Sequence, residues 1–423
     1  MFIGHFTERP YQDPKSGYFG STGRPLADLS LSNGDYDPQI GAALYNRYID
    51  EKVYAEEMGF DGLVLNEHHS TPFCMGGSLN VEAAILARVT RKAKIVLLGN
   101  VLPIWDDPLW LAEQLAMIDL FSYGRLIPGW VRGTGRESYA HNAPPHFNRE
   151  RFNEAHDLVI KAWTVPGPWR WEGKHFHYRY VNPWCRPVQQ PHPPIWIPGT
   201  VSRETVTWCV QRKFPYVMLA TALEATAQSF QFYRDEARAH GWEAGPECLG
   251  YMFKVHVDET EELAEEVGKK YIQGPSNPFL AGNEGIVNQW IQGLPGITSR
   301  RNLLPTASSQ PLGRSGIVPT QAGSEGKMRL SANSYANLVK SYGIISGTPD
   351  SVLPKIRYVL EMLRPGICIF WDGDGAMTHE DQMRSLRLFG EYVIPAVREM
   401  GKELGLTGPF DAAQAPVGSA RSA

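Results

Sequence analysis

Cysteine is scarce and unpaired. Five residues, Cys74, Cys185, Cys209, Cys248 and Cys368, are spread over 423 positions with no CxxC spacing. That argues against a disulfide scaffold or a structural zinc knot and fits a reducing, cytoplasmic compartment. No apolar run reaches the roughly 18 residues that span a bilayer. The N-terminus, Met1-Phe2-Ile3-Gly4-His5-Phe6-Thr7-Glu8, lacks the basic flank and long apolar core of a signal peptide. Neither sign of charge dominates: 41 basic and 45 acidic residues leave a net charge of -4, which argues against nucleic acid or an anionic membrane as partner. Internal repeats and domain linkers are also missing. No GxGxxG follows the first apolar run, which argues against a dinucleotide-binding open sheet.

What is present is ordinary in amount and informative in order. Hydrophobic residues make up 43% and charged residues 20%, values typical of a globular chain, and the length suffices for a large core. Short apolar runs predict strands at Phe2–Phe6, Leu63–Leu65, Ile95–Leu98, Arg125–Gly129, Ile195–Ile197, Tyr216–Ala220, Cys248–Val257 and Ile367–Phe370. Helical spacing lies between most of them, with Asp107-Pro108 and Ser202 as N-terminal signals. Alternating strands and helices imply a parallel sheet. Eight strands favour an α/β (β/α)8 TIM barrel, a single domain over residues 1–404. Long insertions are expected at 7–40, 165–194 (dense in Pro and Trp, read as a hairpin excursion) and 274–346, and residues 405–423 read as a disordered tail.

The chain is organised around Gly59-Phe60-Asp61-Gly62-Leu63-Val64-Leu65-Asn66-Glu67-His68-His69. Three titratable side chains follow a buried strand directly, and in a parallel barrel the C-terminal strand ends carry the catalytic groups. Read alone, Glu67-His68-His69 can be structural, can perform acid–base work, or can belong to a metal site. The fourth strand leads into Trp130-Val131-Arg132-Gly133-Thr134-Gly135-Arg136-Glu137-Ser138, where arginines and glycines suit an anion, or form a solvated turn. Gly199-Thr200-Val201-Ser202-Arg203-Glu204-Thr205 opens a helix whose free N–H groups and hydroxyls suit a phosphate, or simply cap the helix. Phe73, Trp105, Trp130 and Trp184 can line an aromatic pocket or pack in the core. No further His or Asp pair at a strand end supports a metal, and none is expected.

The segment 59–163 resembles the bacterial luciferase-like, flavin-dependent monooxygenases. The resemblance rests on Gly59-Phe60-Asp61-Gly62 with Glu67-His68-His69, on Ala112-Glu113-Gln114-Leu115-Ala116-Met117-Ile118-Asp119, on Gly124-Arg125-Leu126 and on Arg132-Gly133. Weaker matches follow at Pro194–Ile197, Ser202–Trp208 and Gly347-Thr348-Pro349. It implies an eight-stranded barrel that uses reduced FMN and molecular oxygen, through a flavin C4a-hydroperoxide, to oxygenate a small apolar or aromatic substrate. It also implies delivery of the flavin by a separate NAD(P)H-flavin reductase, and a homo-oligomer. By the same resemblance His68 is the catalytic histidine, with Glu67 and His69 supporting it. Arg132 and Gly133, Ser202 and Thr205 meet the flavin phosphate, and Asn100 meets the ring. Val131 stands where bacterial luciferase has a reactive cysteine, so light emission is not expected. Two alternatives stay open: a deazaflavin-dependent oxidoreductase of the same fold, and a metal-dependent barrel hydrolase.

Overall fold

In the computed structural model, residues 1–13, 29, 31–133, 135–272, 335–373 and 376–411 are described. Eight strands form one parallel sheet: β1 (Phe2–Phe6), β2 (Gly62–Leu65), β3 (Lys94–Leu97), β4 (Leu126–Ile127), β5 (Ile197–Gly199), β6 (Tyr216–Leu219), β7 (Leu249–Val257) and β8 (Ile367–Trp371). Their order is β4-β3-β2-β1-β8-β7-β6-β5, so the chain winds outward in both directions from the β1–β8 pair. A short strand, Ile345–Gly347, pairs with the last residues of β7. The sheet is strongly curled. Its two ends meet at a single parallel bridge, Gly129 to Trp196, where the Trp196 N–H donates to Pro128 O at 3.1 Å.

The strands read clearly in sequence because both faces are apolar, as a parallel sheet covered by helices requires. Phe2, Phe6, Val64, Val96, Ile127, Trp196, Val217, Met252, Ile367, Ile369 and Trp371 fill the concave side. Their immediate neighbours Ile3, Leu63, Leu65, Ile95, Leu97, Cys368 and Phe370 pack outward against the helices. These helices are α1 (Pro38–Glu57), α2 (Leu79–Val89), α3 (Pro108–Phe121), α4 (Asn148–Thr164), α5 (Arg203–Arg212), α6 (Leu223–Ala239), α7 (Pro349–Leu363) and α8 (His379–Leu388).

Several boundaries differ from the sequence reading. The first insertion was expected to run to residue 40 and helical spacing to begin near Tyr45. Helix α1 instead starts at Pro38, because Asp37 accepts from Gln39 N at 2.7 Å and Pro38 occupies its first turn. Residues 14–28 and 30 of that insertion, and 273–334 of the third, lie outside the described residues. The 165–194 excursion contains an antiparallel hairpin, Trp169–Glu172 with His177–Val181. The expected tail is corrected at its start. Residues 405–411 pack beneath the sheet, where Phe410 sits 6.0 Å from Phe2 and 6.3 Å from Trp196 between ring centroids. Asp411 also pairs with the N-terminal ammonium at 2.6 Å. Phe410 thus packs as an aromatic plug at the N-terminal strand ends, in a terminus otherwise rich in Ala, Gly and Pro. Residues 412–423 lie outside the described residues.

A buried ionic cluster ties β7, β8 and α8 together. His256, fully buried, places Nδ1 3.3 Å from Asp372 Oδ1 and Nε2 3.3 Å from Asp258 Oδ2. Arg384 donates to both oxygens of Asp258 at 2.7 and 3.1 Å, and Gln382 and Ser385 donate to Asp372. Burial disfavours the imidazolium, but the hydrogen bonds and charges of Asp258 and Asp372 outweigh it and raise the His256 pKa to about 9. A raised folded-state pKa contributes stability that is complete below the ordinary histidine value of 6.5 and lost as the pH rises through about 9. Urea unfolding from pH 6 to pH 10 should therefore show wild-type stability falling across that window. A His256→Gln variant should be less stable below it and lose that part of the slope. Parallel curves for the two proteins would show that His256 does not titrate there.

Candidate active site

The C-terminal ends of β2, β3, β4 and β5 carry the residues singled out in the sequence. Beyond β3 the Leu98–Gly99 peptide is cis. The chain then re-pairs, Asn100 beside Trp130 and Val101 beside Val131. This close approach needs glycine: a β-carbon at Gly99 would lie 2.5 Å from Gly129 O. The result is to bury Asn100 and the start of the Arg132 turn side by side.

Asn100, 1% exposed, is held by its amide nitrogen. Nδ2 donates to Glu67 Oε2 at 3.3 Å and to Asn80 Oδ1 at 3.1 Å. Both partners are acceptors, so the orientation of the amide is fixed. Asn80 in turn donates to Gln114 Oε1 at 2.9 Å, which links α2 and α3 to the strand ends. Asn100 Oδ1 has no hydrogen-bond partner. A buried acceptor left unsatisfied costs roughly 1–3 kcal/mol, so Oδ1 is open to a donor supplied by water or a ligand.

The Glu67-His68-His69 run does not act as one group. Glu67 Oε1 is 2.7 Å from His69 Nε2, and the His69 ring meets His141 edge-on at 4.2 Å. These residues, with Asn80, Asn100, Ile104 and Trp105, wall a cavity of about 330 Å³. Burial, and then the charge of His69, lowers the pKa of His141. His68 points elsewhere. Its Nδ1 is 2.9 Å from Glu137 Oε1, and its ring lies 5.0 Å from Phe73. Glu67 and His69 therefore belong to the Asn100 side of the site, separate from His68. Glu137, 2% exposed, sits on the short helix Gly135–Ala140 that follows the Arg132 turn. The sequence reading quoted Glu137 within the arginine motif without giving it a role, and missed His141.

The remaining predicted residues cluster around two helix starts. Gly133 has φ +72°, and a β-carbon there would meet Val101 Cγ1 at 2.5 Å. Asn148, the first residue of α4, donates to Arg132 O at 2.8 Å. Arg149 pairs with Glu204 in the first turn of α5 at 2.8 Å, so the two helix starts are joined. Ser202 Oγ accepts from Thr205 N at 3.4 Å and from Thr205 Oγ1 at 3.2 Å. The Ser202 hydroxyl proton is left to donate elsewhere. Burial raises the Tyr216 pKa well above its ordinary value, and the charge of Arg132 works against that. Tyr216 OH donates to Thr200 O at 2.5 Å, so Arg132 lies within electrostatic reach of the Thr200–Ser202 turn. Of the four aromatic candidates, Trp105 walls the cavity and Phe73 contacts His68. Trp130 is fully buried against Trp163, and Trp184 is 92% exposed, which removes it from any pocket. Among the described residues no group of three His, Cys, Asp or Glu side chains is arranged to hold a metal ion, and no helix is long and apolar enough to cross a membrane.

A curled parallel α/β sheet with a histidine–carboxylate pair and an anion-suited turn at its C-terminal strand ends defines a class of barrel-like enzymes. The family model described as luciferase-like monooxygenase matches residues 31–362, and the chain belongs to that family. It is 25% identical over 230 residues to the alkanal monooxygenase alpha chain of Photobacterium leiognathi, which covers 54% of this chain and 64% of that one. It is 28% identical over 164 residues to the oxygenase component of the flavin-dependent trigonelline monooxygenase of Acinetobacter baylyi, covering 38% of this chain and 45% of the relative. In both cases the match spans less than two thirds of the relative. Among solved structures, the oxygenating constituent of 3,6-diketocamphane monooxygenase from Pseudomonas putida, in complex with FMN, superposes with a TM-score of 0.69 at 18% identity, covering 94% of this chain and 98% of that one. An F420-dependent secondary alcohol dehydrogenase gives 0.60 at 14% identity, covering 94% and 99%. At such identities the likeness is one of fold.

Proposed function

We propose that the chain is the oxygenase of a flavin-dependent monooxygenase that takes reduced FMN and molecular oxygen and oxygenates a small apolar or aromatic substrate. The observation that carries this reading is the unsatisfied Asn100 Oδ1, an acceptor buried beside the Arg132 turn and suited to a ring N–H of a flavin. Reduced FMN would supply the reaction with oxygen, which no amino-acid side chain performs.

The protein's own residues would then divide the work. Arg132 gives a charge-assisted contact to the phosphate, and Gly133 lets the backbone approach it. The Ser202 hydroxyl proton and the free N–H groups at the start of α5 complete the anion site, with Thr205 holding Ser202 in place. His68 moves or holds a proton, Glu67 and His69 fix Asn100, and the Gly129–Trp196 bridge joins the two ends of the curled sheet. A separate NAD(P)H-flavin reductase is inferred from the missing dinucleotide fingerprint and from the wording "oxygenase component" in a relative's name. Anaerobic binding of reduced FMN, compared side by side with a reduced deazaflavin, tests the cofactor. A clear preference for FMN supports the reading, and a preference for the deazaflavin replaces it with hydride transfer. Rapid NADH oxidation by the isolated protein with FMN would remove the separate reductase.

The homo-oligomer is assigned to the outer face of α2 and α3. Val81, Ile85 and Val89 recur at helical spacing on α2, facing Met117 and Phe121 on α3, and all five are exposed. With Arg88 and Gln114 they line a groove of about 580 Å³. A Val81→Glu, Met117→Glu double variant should sediment as a monomer where wild type does not. An unchanged mass would place the contact elsewhere.

A further inference from the structure

We propose that Glu137 is a positioning residue that holds the proton of His68 on Nδ1 and so presents Nε2 as the atom that exchanges protons in the site, an assignment that rests on the monooxygenase reading above. A neutral imidazole has one N–H donor and one acceptor nitrogen, whereas an ionised carboxylate only accepts. With Glu137 Oε1 2.9 Å from His68 Nδ1, the hydrogen between them belongs to Nδ1. Nε2 makes no hydrogen bond among the described residues, and Phe73 packs against the ring at 5.0 Å, which limits how it can turn.

The pair has the features of an orienting carboxylate. Glu137 is 2% exposed while the His68 side chain is 19% exposed, so the carboxylate lies behind the imidazole and the imidazole faces the open side. When Nε2 accepts a proton from a reacting group, the imidazolium that forms already lies against a buried negative charge. When it returns the proton, the ring reverts to the Nδ1–H form and Glu137 stays ionised throughout. Glu137 touches neither substrate nor cofactor in this scheme. It acts through His68, and it is carried by the segment that also supplies Arg132 and Gly133.

Nitrogen-15 NMR of the full chain labelled at histidine, without flavin, reads the tautomer directly, the His68 signals being those lost in His68→Gln. Wild type should show neutral His68 as Nδ1–H. Glu137→Ala should shift it to the Nε2–H form that a free histidine side chain favours. Glu137→Gln, whose carbonyl can still accept from Nδ1–H, should keep the wild-type tautomer. It should nevertheless change the pH profile of hydrogen peroxide release from bound reduced FMN in oxygenated buffer, by about tenfold in rate at one end of the profile. An Nε2–H form in wild type, or the same tautomer in wild type and Glu137→Ala, overturns the proposal. Should Glu137→Ala not fold, an unchanged pH profile in Glu137→Gln overturns it. Nδ1–H in wild type with no binding of reduced FMN would leave the pairing intact and remove the monooxygenase reading instead.

Discussion

Changing His68 to alanine should leave the affinity for reduced FMN within about twofold of wild type and speed the release of hydrogen peroxide, on mixing with oxygen, by about a hundredfold, the lower end of the range for a positioned acid–base group. The separation of roles follows from the geometry. His68 is bonded to Glu137 and packed on Phe73, and among the described residues it makes no hydrogen bond to the Arg132 or Ser202 turns. Removing its imidazole takes away a proton-holding group and removes no group assigned to the phosphate. Stopped-flow absorbance with a coupled peroxide assay measures both quantities. Equal peroxide release in variant and wild type would take His68 out of the chemistry.

Arg132→Ala should have the opposite signature. Loss of a charge-assisted contact costs about 1.5–3 kcal/mol, or roughly 10- to 150-fold in Kd for reduced FMN. Riboflavin, which has no phosphate, should bind variant and wild type alike. The Arg132 backbone is held independently by Asn148 through Arg132 O, so the turn survives truncation of the side chain. An equal loss of affinity for FMN and riboflavin would mean that Arg132 shapes the pocket rather than meeting the phosphate.

The parts of this molecule that sequence revealed are those governed by local rules. The strands were legible because a covered parallel sheet is apolar on both faces, so most of them contain an apolar run such as Ile367–Trp371. The Asp107 and Ser202 caps were legible because capping residues act on N–H groups two or three positions away. The Asp37–Pro38 start was lost within a Gly- and Pro-rich stretch that hides the same signal. What stayed hidden depends on distance along the chain. Glu137 meets His68 across 69 positions and Asp372 meets His256 across 116. Asn80 joins Asn100 only because α2 and the end of β3 are packed together. The Glu67-His68-His69 run shows the limit most clearly. Its position after a strand was evident, but its division between two environments was not. Neighbouring side chains diverge after a strand, and the partners that decide their roles arrive from α2, α3 and the 135–140 helix.

The central claim is that these strand ends hold reduced FMN and control its reaction with oxygen. Anaerobic titration of the full chain with reduced FMN, followed by rapid mixing with oxygenated buffer, tests it most directly. The account predicts saturable binding and reoxidation in resolved phases slower than that of free flavin, with riboflavin bound more weakly by the phosphate contribution. Absence of binding, or reoxidation at the rate of the free flavin, would contradict it.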